Sequence, residues 1–395
     1  MIKLRISVIV IFFFIFLSPA FAGDSSTAVS SVQDDIIKSQ LENLNLSELQ
    51  KEINKINREI ERYLPDFDLK ELAGKLLKGD SDFSFLDLIR AFFSYLGKEI
   101  SANISLLGRI IVLAVLSAVL SIFHQSFSSK TISDTANMLV FLLISVLIIQ
   151  AFRLAVQTAI ETLDNMVLFI QALLPVLLSL LISLGALSSA AVFQPLTFLM
   201  ITAISSVIRY TVFPLIFLAM VMSIVTKINE NISLSRLASL FKEIGISILG
   251  LAMTSFIGAL LLQGGVAAVT DSISLRTAKY LTGNFVPVIG KIFADAVELI
   301  AGCSLILKNA VSIAGMLIII IIISFPLIKI ISLIFVYKLT AAVIQPVADQ
   351  RLVEILNDTG SGLIMVFLVL SAVSIMFFIA ITIIAGVANI TVMMR

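Results

Sequence analysis

The most constraining feature of this chain is a run in its C-terminal half: Met316-Leu317, six consecutive isoleucines from Ile318 to Ile323, then Ser324-Phe325-Pro326-Leu327-Ile328. A helix built from this run has no polar face to turn toward water. In a bilayer it needs none, because lipid tails solvate the side chains and the helix satisfies its own backbone. The run belongs to a nearly unbroken apolar series from Asn165 to Ala388, punctuated by prolines and few charges. The whole chain has a mean hydropathy of +1.10 and is only 13% charged, about half the usual share for a soluble domain. The expected fold is therefore all-α, a polytopic membrane helical bundle preceded by a short helical extracytoplasmic segment.

The apolar series also resembles itself. A shift of 112 positions carries Pro175 onto Pro287 and Phe213-Pro214-Leu215-Ile216 onto Phe325-Pro326-Leu327-Ile328. The same shift carries Gly250-Leu251 and Met253 onto Gly362-Leu363 and Met365. Two half-units, about 165–276 and 277–388, with matching proline-interrupted helices would be the construction seen in many transporters. Chance is the competing reading, since apolar sequence of low complexity matches itself easily.

At the N-terminus, Lys3 and Arg5 precede an apolar run from Ile6 to Leu17, followed by Pro19 and Ala20-Phe21-Ala22. A basic start, a short apolar core and small residues two apart describe a secretory signal peptide over 1–22, cut between Ala22 and Gly23. An uncleaved anchor is the alternative. Either way, 23–97 is expected outside the cytoplasm, ahead of a multispan domain over 98–395. Within it, Leu46, Leu49, Ile53, Ile56 and Ile60 recur three and four apart and form one apolar seam on a helix. That seam either folds back on the chain itself or docks another protein. From Phe83 to Leu96 a phenylalanine-rich segment reads as a helix at the membrane surface.

Hydropathy places nine spans at 104–123, 137–156, 165–187, 190–208, 211–227, 243–269, 309–325, 327–346 and 361–388. An odd count puts Arg395 in the cytoplasm. The charge balance puts loop 227–242 inside and loop 349–360 outside. Segment 277–305 fits neither lipid nor loop. Its Lys291, Asp295 and Glu298 share one helical face. They either meet water at the membrane surface or line a polar passage.

Catalytic equipment is missing from the sequence. There is no phosphate-cradling glycine loop followed by Lys-Ser/Thr. The single His124 and single Cys303 exclude multi-histidine and multi-cysteine metal sites. No enzyme activity, cofactor or metal is expected, and a net charge of +1 offers nothing to nucleic acid.

Specific strings go further than hydropathy. Ala301-Gly302-Cys303-Ser304-Leu305-Ile306-Leu307-Lys308-Asn309-Ala310 leads into the isoleucine run and Phe325-Pro326-Leu327-Ile328-Lys329. Val336-Tyr337-Lys338-Leu339-Thr340-Ala341-Ala342 and Gln345-Pro346-Val347-Ala348-Asp349-Gln350-Arg351 follow. Together these resemble the stage III sporulation protein AE family of endospore-forming bacteria. The resemblance implies a subunit of the channel, or feeding apparatus, between mother cell and forespore, needed for late forespore gene expression. It implies a place in the mother-cell membrane around the forespore, and partners that include a separate ATPase and ring-forming proteins. It supplies no catalytic residues. A free-standing secondary transporter, suggested by the half-units and broken helices, is the competing function.

Overall fold

The structure is a computed structural model. It describes residues 36–60 apart from 38, 41–43 and 45, then 74, 85–126, 130–228, 233–285 and 289–393. The proposed signal peptide and its Ala22/Gly23 junction lie outside the described residues. Among those that are described, the regular elements are all helical. In chain order they are α1 (Ser47–Ile60), α2 (Phe85–Ser126), α3 (Lys130–Ser183) and α4 (Leu187–Val207), then a π-helical turn (Ile208–Val212). α5 (Phe213–Ile228), α6 (Ser235–Phe285), α7 (Ile289–Ile344) and α8 (Gln350–Met393) complete the set.

The span count differs from the sequence expectation. Among the described residues, six helical stretches, not nine, are long and apolar enough to cross a membrane. Segments 137–156 and 165–187 are parts of one helix as far as Ser183, as are 309–325 and 327–346 as far as Ile344. Segments 190–208 and 211–227 join through the π turn. From Phe85 onward the phenylalanine-rich segment is likewise the start of α2, continuous with the first span, rather than a separate surface helix. At Pro326 the physical reason is that a proline interrupts one backbone bond without ending a helix whose sides are held by neighbours, while at Asp164 and Arg209 the charges pair with each other inside continuous helical backbone. With an even count, the argument placing Arg395 in the cytoplasm no longer holds.

The helices are long. The 56 residues of α7 span about 84 Å at 1.5 Å per residue, against a hydrocarbon core about 30 Å thick. α7 pairs most extensively with α8, and α2 and α3 also flank it. The core runs through these elements, with Phe152, Phe169, Leu173, Val311, Leu370 and Phe377 fully buried. Moved by 112 positions, the hairpin 187–228/235–285 overlies 299–344/350–393, with the turns within four residues of each other. The earlier turn at Leu184-Gly185-Ala186 has no such counterpart, because 296–298 are helical.

Close packing depends on several glycines, Gly362 among them. A Cβ at Gly362 would sit 2.9 and 3.3 Å from the Phe152 ring and 3.4 Å from the Met220 sulfur. Its counterpart under the shift, Gly250, has nothing within 4 Å. Gly362→Val should lower stability by roughly 1–3 kcal/mol through overpacking, and Gly250→Val should be far milder. Thermal unfolding of the purified chain in detergent checks this, and Phe152→Leu should restore part of the loss.

Candidate functional site: a polar belt across an apolar bundle

Several stretches contain no charged residue, among them 165–208, 244–270, 309–328 and 359–388. The first is a helical hairpin, α3 into α4, and its two ends are Asp164 and Arg209. The fold brings these ends together. Arg209 Nη1 donates to Asp164 Oδ1 at 2.9 Å and lies 2.8 Å from Oδ2. The guanidinium also stands 5.4 Å from the centre of its neighbour's ring, Tyr210, within reach of the ring quadrupole.

Local backbone chemistry explains how Arg209 is held. Pro214 lacks an N–H and would crowd the carbonyl four residues back. The chain widens into a π turn over Ile208–Val212, and the Phe213 N–H donates to the Ile208 carbonyl. Such turns absorb an irregularity without ending the helix and recur at functional positions. On α7, Pro326 stays inside an α-helix.

The Asp164–Arg209 pair belongs to a belt of polar groups at one level of the bundle. Beside it is a cavity of about 550 Å³ bounded by α1, α2, α3 and α7. Lys55, Glu161, Asp164, Asn165, Lys329 and Pro326 are among its lining residues. Lys55 Nζ donates to Asn165 Oδ1 at 3.2 Å. Tyr95 on α2 meets the Phe325 ring edge-on at 4.8 Å. The arrangement places both charge signs and several hydroxyl and amide groups between two apolar halves. Its groups can hydrogen bond or pair with polar species, and it holds no cluster of His, Cys, Asp or Glu able to take a metal among the described residues.

Each end of the bundle has its own polar anchor. At one end Gly185 turns with φ 81°, a conformation that suits glycine. There Asp271 of α6, almost wholly buried, accepts the Ser188 N–H at 2.8 Å and the Ser189 N–H at 2.9 Å. Lys308 of α7 is completely buried and donates to the Ala385 carbonyl of α8. At the other end, Lys227 of α5 pairs with Glu354 of α8, and Ser223 Oγ donates to Asp358 at 2.8 Å.

That second end corrects the sequence-derived topology. Loops 227–242 and 349–360 were expected on opposite sides of the membrane, yet their flanking residues touch. Charge balance misleads here because Glu354 and Asp358 are partnered by α5 rather than marking an outer surface. Single cysteines at the exposed Ser235 and Gln345, in a chain with Cys303 replaced, should therefore react with an impermeant thiol reagent from the same side. Opposite-sided labelling would refute the observed pairing.

The seam proposed for docking is partly an internal one. Leu46, Leu49 and Ile53 are buried in the chain's own core, where α1 packs on α3. The reason is simple: the apolar stripe found an apolar neighbour within the chain. The side chains of Ile56 and Ile60 lie outside the described residues. Lys291, Asp295 and Glu298 fall in the first turns of α7, and their side chains also lie outside them. What sequence reasoning missed is the Asp164–Arg209 pair, although a charge-free interval bounded by opposite charges was a readable signal.

Comparison with known proteins gives a consistent result. A sequence model described as stage III sporulation protein AE matches residues 67–388. The stage III sporulation protein AE of Bacillus subtilis (strain 168) is 39% identical over 321 residues, covering 81% of this chain and 80% of that protein. No solved structure matches the chain. The matched region takes in the Asp164–Arg209 pair, both polar anchors and all six apolar stretches, while Lys55 and the rest of α1 precede it, and the chain belongs to the stage III sporulation protein AE family.

Proposed function

We propose that this chain is an integral membrane subunit of the channel between mother cell and forespore, acting in the mother-cell membrane that surrounds the forespore. Family membership supports a role in sporulation, and six apolar helices support a multi-pass membrane protein. The observation that carries the channel reading is the polar belt, with a charged cavity between apolar halves. Charged groups set between long apolar stretches are expensive to keep and usually mark a path or a contact. In this reading the chain is not itself an enzyme. Its energy comes from a separate ATPase, and ring-forming proteins complete the assembly. Purification of a tagged chain from sporulating cells should recover those partners, and deletion should silence late forespore genes. A chain recovered alone, with normal late expression in its absence, would reject the proposal.

The cavity also favours a second reading, a free-standing transporter with its site between helices. Purified chain in sealed vesicles separates the two. A solitary transporter moves its solute there unaided, whereas a channel subunit does not.

A further inference from the structure

The bundle is about twice as tall as a bilayer is thick, so lipid can cover only one half of it. The charge distribution selects the half. From the belt toward Asp271 and Lys308, helices α3, α4, α6, α7 and α8 carry no charged side chain for the length of one hydrocarbon core, and α2 brings only Asp87 and Arg90 to this side, in its first two turns ahead of Tyr95. On this half α4 and α6 expose Val192, Leu196, Leu199, Leu251, Leu261 and Leu262, a surface much better suited to lipid than to water. The opposite half differs. Its Arg109, Arg153 and Arg236 are exposed, and Arg153 lies about 16 Å along α3 from Asp164 at 1.5 Å per residue. A hydrocarbon core placed there would hold bare guanidinium groups near its centre.

α1 complicates the lipid-covered half in an informative way. Gln40, just before α1, hydrogen bonds with Ser304 on α7 at 2.9 Å, one turn from Lys308. Lys55, near the end of α1, reaches the belt. The segment between them packs on α3 and spans the depth between Ser304 and the belt, the depth of the lipid-facing leucines. Its buried side is Leu46, Leu49 and Ile53, and its exposed side is Glu48, Lys51, Asn54 and Lys55. Lipid cannot cover that exposed side at acceptable cost.

We infer that the bilayer sits on the charge-free half and that α1, at bilayer depth, turns its charged face to an aqueous passage while α4 and α6 face lipid. This deepens the channel reading by naming the lining element, and its test reads accessibility rather than sporulation. The passage would suit hydrated, polar cargo, since Glu48 and Lys51 present both signs of charge. A wall of this kind encloses a passage only with further copies or partners around it.

The test uses the full chain in membranes from sporulating cells, with Cys303→Ala as background. Single substitutions Glu48→Cys, Lys51→Cys, Leu251→Cys and Leu262→Cys are treated with a charged, impermeant thiol reagent. In parallel, unsubstituted chain is photolysed with a diazirine-bearing phospholipid, and the adducts are mapped. The two α1 positions should react at least about tenfold faster than the two α6 positions, because only a thiol in water ionises. Lipid adducts should fall on α4 and α6 between the belt and Asp271, and not on α1. Equal reactivity at all four sites would overturn the inference, as would lipid adducts on α1 or adducts confined to the opposite half. None of these results depends on whether the partners are the proposed ones, so the channel reading can fail separately.

Discussion

Replacing Arg209 with leucine is expected to lower the folded yield in the membrane sharply, and replacing Asp164 with leucine at the same time should recover most of it. Asp164 and Arg209 meet at 2.8 Å and close a hairpin with no other charge in its 44 intervening residues, 165–208. In open water a partly exposed pair of this sort contributes about 0–1 kcal/mol. At the edge of the hydrocarbon core the balance changes, since loss of one partner leaves the other unpaired and only partly solvated, at a cost above that range but below the ~3–5 kcal/mol of a fully buried pair. The double replacement removes both charges and leaves no orphan. Membrane abundance and thermal unfolding of the two single variants and the double variant form a closed cycle. Equal, small effects in both single variants would mean that the pair is water-bathed and structurally minor. Lys227 and Glu354 serve as the internal comparison, because their pair lies near two chain reversals and its loss should cost far less.

The sequence made the all-helical membrane character plain because that character depends on local composition alone. It made the span count look like nine because Asp164, Arg209 and Pro326 resemble boundaries when read along the chain. In the fold they are interior points of long helices. Asp164 finds Arg209 across 45 positions, and no local pattern announces that. Pro214 reads as a break but is absorbed by a π turn. Periodicity in α1 correctly marks a buried stripe over Leu46, Leu49 and Ile53, yet a stripe does not say whether the surface that buries it belongs to the same chain. The opposite-side placement of the two loops failed for a related reason. Counting charges assumes each faces its own solvent, whereas Glu354 and Asp358 have partners on α5.

Asp271→Ala should destabilise the chain more than an ordinary cap deletion does, and the structure contains the control. Asp349 Oδ1 accepts the Arg351 N–H at 2.9 Å at the exposed start of α8, a local N-cap whose removal costs about 0.5–2 kcal/mol. Water can replace the lost acceptor there. Asp271 does the same task across the bundle, holding two N–H groups at the start of α4 from a position that is 1% exposed. Ala186, which precedes α4, has no side-chain acceptor to offer. Each N–H left buried without an acceptor costs about 1–3 kcal/mol, so Asp271→Ala should lose roughly 2–5 kcal/mol. Asp271→Asn keeps one carbonyl oxygen and should fall between Ala and the parent. The favourable contact of a carboxylate with the positive end of α4 is lost in both. Thermal unfolding in detergent ranks the variants, and limited proteolysis at the Gly185 turn reports whether the start of α4 has loosened. If Asp271→Ala costs no more than Asp349→Ala, the buried carboxylate is not what ties α4 to α6.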